Sequence, residues 1–230
     1  MKTTKKIGNY LIIAASLLII AYGCKKDDDD TITDADGNIY TSVTIGSQVW
    51  MVENLKTTKY NDGTGITLIT DNSEWRNTTA PAYCWYDNNI SNKELFGAFY
   101  SWNAVNTEKL CPSGWHVPTL TELDELIEFL GGESVAGGKL KATGTIEGAD
   151  GLWYQPNTDA TNETGFSALP GGMRAADFYD FNYGGVWWLS TEYSPERAHA
   201  YYINYDSGAI NLNDDGFAKY HGYSVRCIKD

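Results

Sequence analysis

Three histidines, four cysteines and a late run of tyrosines and aspartates are the side chains through which this chain could do chemistry. His116, His199 and His221 stand apart in the sequence. None has a second histidine at ligand spacing, and no serine is framed as a nucleophile elbow, so general-base and nucleophilic chemistry find no constellation. A lone imidazole is ordinarily a packed or solvated side chain. Cys24, Cys84, Cys111 and Cys227 form no CxxC or His-paired pattern, which argues against zinc. Asp34-Ala35-Asp36-Gly37 opens like a calcium loop, but Ile32 stands where the first ligand belongs and Val43 where the closing Glu belongs, so it reads as a turn. Non-covalent chemistry remains. Phe178 to Tyr183 mixes rings with polar partners, and Asn213-Asp214-Asp215 adds carboxylates. Tyrosine and tryptophan give broad contact area at low entropic cost, and their rings stack on sugar faces. Tyr179, Asp180, Tyr183, Asp214 and Asp215 are therefore the candidate ligand-binding residues. No catalytic residue, metal ligand or cofactor is assigned.

Charge narrows the partners. The 230-residue chain carries 17 bases against 30 acids, a formal charge of −13, and losing Lys2, Lys5 and Lys6 with a leader takes it to −16. Such a chain repels phosphate backbones, so nucleic acid is excluded as the main partner. Those lysines precede an apolar run from Tyr10 to Ala21, broken only by Ser16. This is the layout of a signal peptide over residues 1–23, the run being too short for a comfortable permanent span. Cys24 follows Gly23 at the end of the run, an arrangement that resembles a bacterial lipobox, in which the thiol is lipidated. Ala21-Tyr22-Gly23 departs from the usual pattern in lacking the Leu three residues before the cysteine. Lys25 to Asp30 is a charge run that cannot pack into a core, so residues 24–35 read as a lipidated cysteine and a solvated acidic tether. The segment also looks like the export tag of surface-exposed lipoproteins in Bacteroidota-type bacteria. The membrane, reached through lipid on Cys24, is the first expected partner. The expected location is the outer membrane, lipid-anchored and facing outward; a plain solvated linker, which would leave the domain facing the periplasm, is the alternative.

From Asp36 onward the composition is that of a folded domain. Gly37 to Ile45 and Gln48 to Val52 predict a hairpin about Gly46-Ser47. Leu55 to Tyr60, Ile66 to Thr70 and Tyr83 to Tyr86 predict short strands, with a helical turn at Asp71 to Asn77 burying Trp75. Phe96 to Val105 is apolar enough to cross the core. Thr119 and Glu122 form a capping box before Leu120, Leu123, Leu126, Ile127 and Leu130, which share one helical face. Gly131-Gly132 stops that helix, and Val135 to Ala142 predicts a second. Gly148 to Glu163 predicts an extended surface excursion. Phe166 to Arg174, Val186 to Thr191, Ala198 to Tyr205, Ala209 to Leu212 and Tyr223 to Ile228 predict strands. One α+β domain over residues 36–230 fits this order. With Cys24 spent on lipid, an exported domain with three further cysteines predicts one disulfide and one thiol, and spacing does not choose the pair.

Several ordered pieces point to a family. They are Ile45-Gly46-x-Gln48-x-Trp50-Met51-x-Glu53-Asn54-Leu55, Cys111-Pro112-Ser113-Gly114-Trp115-His116-Val117-Pro118, Gly165 to Gly172, Trp187-Trp188 and Ser224-Val225-Arg226-Cys227. Together they resemble the Fibrobacter succinogenes major paralogous domain. The resemblance implies a single C-type-lectin-like domain, also seen in formylglycine-generating enzymes, with short mixed strands, one main amphipathic helix and long loops. In such folds the last strand returns beside the strand preceding the main helix, which implies a Cys111–Cys227 disulfide. Oxidases of similar architecture use paired cysteines in their C-terminal part, where only Cys227 is found here. Gln155-Pro156-Asn157 looks like the calcium-holding tripeptide of C-type lectins. The Trp-Asn-Asp element that accompanies it there is matched only by Asn213-Asp214-Asp215, so a turn is favoured.

The expectation is a non-catalytic binding or display domain on the cell envelope, its ligand a glycan or a surface protein. A structural envelope protein and a hypervariable receptor on the same scaffold are the alternatives, with a calcium-dependent lectin behind them.

Overall fold

The computed structural model describes residues 31–230. The leader, Cys24 and the Lys25 to Asp30 charge run lie outside the described residues. Thr31 to Ala35, grouped with the tether by composition, belong to the folded unit. Ile32 is buried there, and Asp34 accepts the Asp36 and Asn38 backbone N–H groups at 2.9 Å each, with the Tyr40 hydroxyl at 2.6 Å. The Asp34 to Gly37 stretch is thus a turn closed by its own aspartate.

The architecture is α+β, with several small sheets in place of one large one. Strands β1 (Ile32–Thr33) and β2 (Ile39–Tyr40) pair at the start. The predicted hairpin follows as β3 (Ser42–Ile45) and β4 (Gln48–Met51). Next come β5 (Thr67–Leu68), α1 (Asn72–Asn77), β6 (Ala82–Cys84), α2 (Lys93–Phe96), β7 (Phe99–Tyr100) and α3 (Trp102–Val105). Trp75 on α1 is fully buried, as its helical turn predicts. The central segment is β8 (Trp115–His116), α4 (Leu120–Leu130) and α5 (Glu133–Leu140). The last third holds β9 (Met173–Arg174), β10 (Phe178–Tyr179), β11 (Gly184–Ser194), β12 (Arg197–Asn204), β13 (Ile210–Leu212), β14 (Phe217–Ala218) and β15 (Ile228–Lys229).

Helix α4 forms as the sequence dictates. The Thr119 hydroxyl accepts the Glu122 N–H at 3.2 Å while the Glu122 carboxylate accepts the Thr119 N–H at 2.8 Å. Gly131 closes the helix with a left-handed φ of 98°. Leu123, Leu126, Ile127 and Leu130 are buried against Trp50, Phe166 and Trp187. The C-terminal strand β15 inserts between β4 and β8, Ile228 facing both Trp50 and His116. That return brings Cys227 to Cys111, and the two form a disulfide across 116 residues of sequence, with Cys84 buried and free.

Strand β12 is the centre of the late sheet, which is ordered β11-β12-β13 with β14 also on β12, and the long β11 forms its edge. Alternation along β11 sends Trp187 into the α4 core and Trp188 into a second core around Tyr100, Tyr223 and the disulfide. Each indole N–H is satisfied, Trp187 on the Asn54 carboxamide at 2.8 Å and Trp188 on the Tyr100 carbonyl at 2.8 Å.

Several predicted strands shorten. Leu55 to Tyr60 has no strand, because its backbone takes other partners: Lys56 N–H donates to the Tyr40 hydroxyl, and the Tyr100 hydroxyl donates to the Thr57 carbonyl. Phe166 to Arg174 keeps only β9, since Pro170 lacks a ladder donor. Phe96 to Val105 crosses the core as the end of a helix, a two-residue strand and a further helical turn. The Gly148 to Glu163 loop is no surface excursion throughout, since Trp153 and Asn157 within it are buried.

Candidate functional site

A cleft of about 530 Å³ opens beside the second core, on the face of the late sheet that carries Val186 and Trp188. Its construction follows from strand parity. On β12, Tyr201 and Ile203 point into the core, so Tyr202 and Asn204 must point the other way, where they line the cleft. Val186 of β11, Leu212 of β13, Phe217 of β14 and Met173 of β9 complete an apolar wall. The rings of Tyr202 and Phe217 meet edge to face, with centroids 6.4 Å apart and planes at 89°.

Two turns bring acidic groups to the rim. Asp180 follows β10 with a φ of 59°, and Asn182 has 66°. Aspartate and asparagine tolerate that left-handed region better than other residues with a Cβ. The second turn joins β13 to β14. There the Asn213 carboxamide accepts the Asp215 N–H at 3.0 Å and its carbonyl accepts the Gly216 N–H at 2.9 Å, leaving Asp214 and Asp215 exposed at the rim. Asp180, Asp214 and Asp215, expected from sequence to bind ligand, are thus brought to one concavity.

The other two candidates lie elsewhere. Tyr179 sits on the β9–β10 hairpin, paired with Met173 and 47% exposed. Tyr183 packs between Tyr154 at 4.3 Å and Tyr205 at 5.2 Å, a tyrosine cluster outside the cleft. Met173, Tyr202, Asn204 and Phe217 were not anticipated. Alternation along β12 was the available signal for Tyr202 and Asn204; no local pattern marks the others.

The cleft rests on a firm support. Lys141 is fully buried beneath the β12–β13 connection, and its Nζ donates to the Asn204 and Ser207 carbonyls at 3.1 and 2.9 Å. Burial pushes this ammonium down to about 8, against the opposing pull of Asp159 and Asp206. Helix α5 approaches the same connection closely. A Cβ on Gly137 would lie 2.2 Å from the Ala209 carbonyl oxygen, and one on Gly138 would lie 2.5 Å from that of Asp159.

The remaining candidates for chemistry are occupied. His116 has Nδ1 at 2.7 Å from Asp230 and Nε2 at 2.9 Å from Glu122, so neither nitrogen is directed at a hydroxyl. His221 meets the Tyr223 hydroxyl at 2.7 Å, and burial pushes its imidazole down to about 4. His199 packs edge-on against the Tyr193 ring. In Gln155-Pro156-Asn157, the Asn157 amide turns inward and donates to the Ala142 and Gly144 carbonyls at 3.0 and 2.9 Å. No group of three or more His, Cys, Asp or Glu suited to a metal occurs among the described residues.

The motif residues quoted above converge on the framework instead. Asn54 accepts from Trp187 Nε1 and, at 3.0 Å, from Arg226 Nε, while its own amide donates to the Phe96 carbonyl at 2.8 Å. Arg226 also donates to the Phe166 and Ser167 carbonyls and lies 4.1 Å over the Phe166 ring. Burial pushes its guanidinium down to about 10, which leaves it cationic at neutral pH. These residues tie the end of the hairpin, the Phe166–Ser167 segment, β11 and the C-terminus into one buried node.

Comparison with curated proteins and with solved structures finds no match. A family model does match, over residues 43–229, taking in every segment of the buried node together with the cleft. The chain belongs to the family described as the Fibrobacter succinogenes major domain.

Proposed function

We propose that this protein is a lipid-anchored component of the outer membrane, held through Cys24 and facing outward, whose C-type-lectin-like domain binds a ligand and does not transform one. The cleft over β11 and β12 is the observation that carries this reading. It joins an apolar, ring-bearing wall to a polar rim, the general make-up of a recognition site. Its walls belong to sheet strands and its rim to short turns, while the framework node and the disulfide lie behind it. A scaffold of that kind presents preorganised groups at low entropic cost on binding. Glycans and envelope proteins are the ligand classes, rings serving the first and a mixed rim either.

The test is capture by the purified full chain from glycan arrays and envelope extracts. Asp180→Asn, which keeps a residue suited to the left-handed backbone, and Tyr202→Ala are expected to lower the captured signal about tenfold or more, as loss of a central contact does. The melting temperature should stay near that of the wild type for Asp180→Asn and fall for Tyr202→Ala, whose ring packs against the second core, so capture is compared well below both transitions. Capture unchanged by both variants would remove the cleft from the proposal. In cells, Cys24→Ser should shift the protein out of the membrane fraction, and unchanged membrane association would sink the lipid anchor.

A further inference from the structure

We propose that the cleft receives the side chain of an arginine on a protein partner, an inference that rests on the cleft being the ligand site. Two separate features of the lining fit the two halves of that side chain. Met173, Val186 and Leu212 form an apolar wall along which a three-carbon stem can lie. Above the stem, Tyr202 and Phe217 offer perpendicular rings, and a planar guanidinium can stack on one while its edge stays free for hydrogen bonds.

The rim supplies the opposite charge. Asp180 approaches from the turn after β10, Asp214 and Asp215 from the turn after β13, and the lining contains no lysine, arginine or histidine. Basic groups on the neighbouring elements bond to partners other than the rim carboxylates, Arg197 at the rim turn being held by main-chain oxygens. Arg197 donates to the Asp215 and Gly216 main-chain carbonyls at 3.2 Å each. Lys219 pairs with Glu192 and donates to the Pro195 carbonyl, and Arg174 is turned inward onto Ile69, Thr70 and Asn72. Among the described residues no ion pair forms to the Asp180, Asp214 or Asp215 carboxylates, so the rim is complementary to a cation from outside the chain. A carboxylate accepts two parallel N–H bonds from a guanidinium, a geometry an ammonium cannot copy. The net charge of −13 adds long-range attraction for a basic surface.

The experiment is a nitrogen-15 NMR titration of the full chain with acetyl-Gly-Arg-Gly-amide, its lysine and citrulline counterparts, and glucosamine. The arginine peptide should move the Gly184, Tyr202 and Phe217 resonances. Citrulline, which keeps the shape and loses the charge, should bind about tenfold more weakly. The combined Asp180→Asn, Asp214→Asn and Asp215→Asn variant should lose about as much with an unchanged melting temperature. Equal binding of citrulline would overturn the inference and leave the cleft standing as a binding site, as would stronger shifts with glucosamine or lysine at the same resonances. If no probe moves the cleft resonances, the inference falls. Whether the broader reading falls with it is then decided by whether capture from envelope extracts depends on Tyr202.

Discussion

His116 is bound on both ring nitrogens by carboxylates, and this makes its proton count a matter of stability. Burial pushes the imidazole down, but the hydrogen bonds to Asp230 and Glu122 outweigh it and hold the group above its ordinary value. A histidine whose folded value is raised contributes stability that is complete below about 6.5 and is lost as pH rises through the folded value. Glu122 runs the other way. Burial pushes it up, while the Thr119 backbone N–H and His116 more than compensate, so its contribution is present above the ordinary Glu range and is lost as pH falls through the folded value. The stabilising window therefore lies between the two folded values. His116 and Asp230 are partly exposed, so solvent screens the pair and the effect is small. Melting temperatures of wild type and His116→Gln, followed from acid to alkaline pH, should differ inside that window and converge above it. A gap that persists at alkaline pH would mean that packing, not charge, holds the residue. Asn54 makes the complementary point: known from sequence only as one member of an ordered motif, it satisfies an indole, a guanidinium and a carbonyl at once in the buried interior.

At the scale of elements, α4 was legible because everything that makes it is local: a capping box three residues wide, an apolar stripe and a glycine stop. Helix α5 was less so, its observed span of Glu133–Leu140 lying about two residues before the predicted one. Its Gly137-Gly138 pair opposes helix formation, and no sequence pattern shows what it gains in return. The structure does: two loops approach the helix backbone where a side chain would stand. Gly137→Ala should accordingly behave against propensity. In an exposed helix it would stabilise by about 1 kcal/mol. Here the collision with the Ala209 carbonyl should cost about 1–3 kcal/mol net, as overpacking does. Denaturant unfolding measures the sign directly, and a stabilised variant would show that the loop yields easily. The two-residue strand β10 escaped prediction, and β9 was foreseen only as the end of a longer strand, for the same reason as the glycines. They exist because of the segments they meet.

The whole molecule is closed by its C-terminus, which inserts between β4 and β8 and is locked by Cys111–Cys227. A crosslink over so long a stretch mainly restricts the unfolded chain, so Cys111→Ser should lower stability by about 2–4 kcal/mol while leaving ligand capture in the native range unchanged. Denaturation with and without reductant provides the check. If reduction shifts the variant as much as the wild type, the disulfide is not the source. The sequence by itself determined the hairpin, the capped helix, the α+β class, the acidic character and, through its ordered motifs, the family. Those signals are periodicity, capping and turn chemistry, which act over a few neighbouring residues, together with short words that survive in order. Only the tertiary structure decided the cleft. Met173, Asp180, Tyr202, Asp214 and Phe217 come from separate segments, and they meet because strand parity and antiparallel pairing turn them to one face. The same non-local pairing separated Tyr179 and Tyr183 from Asp180, although all three are close neighbours in sequence.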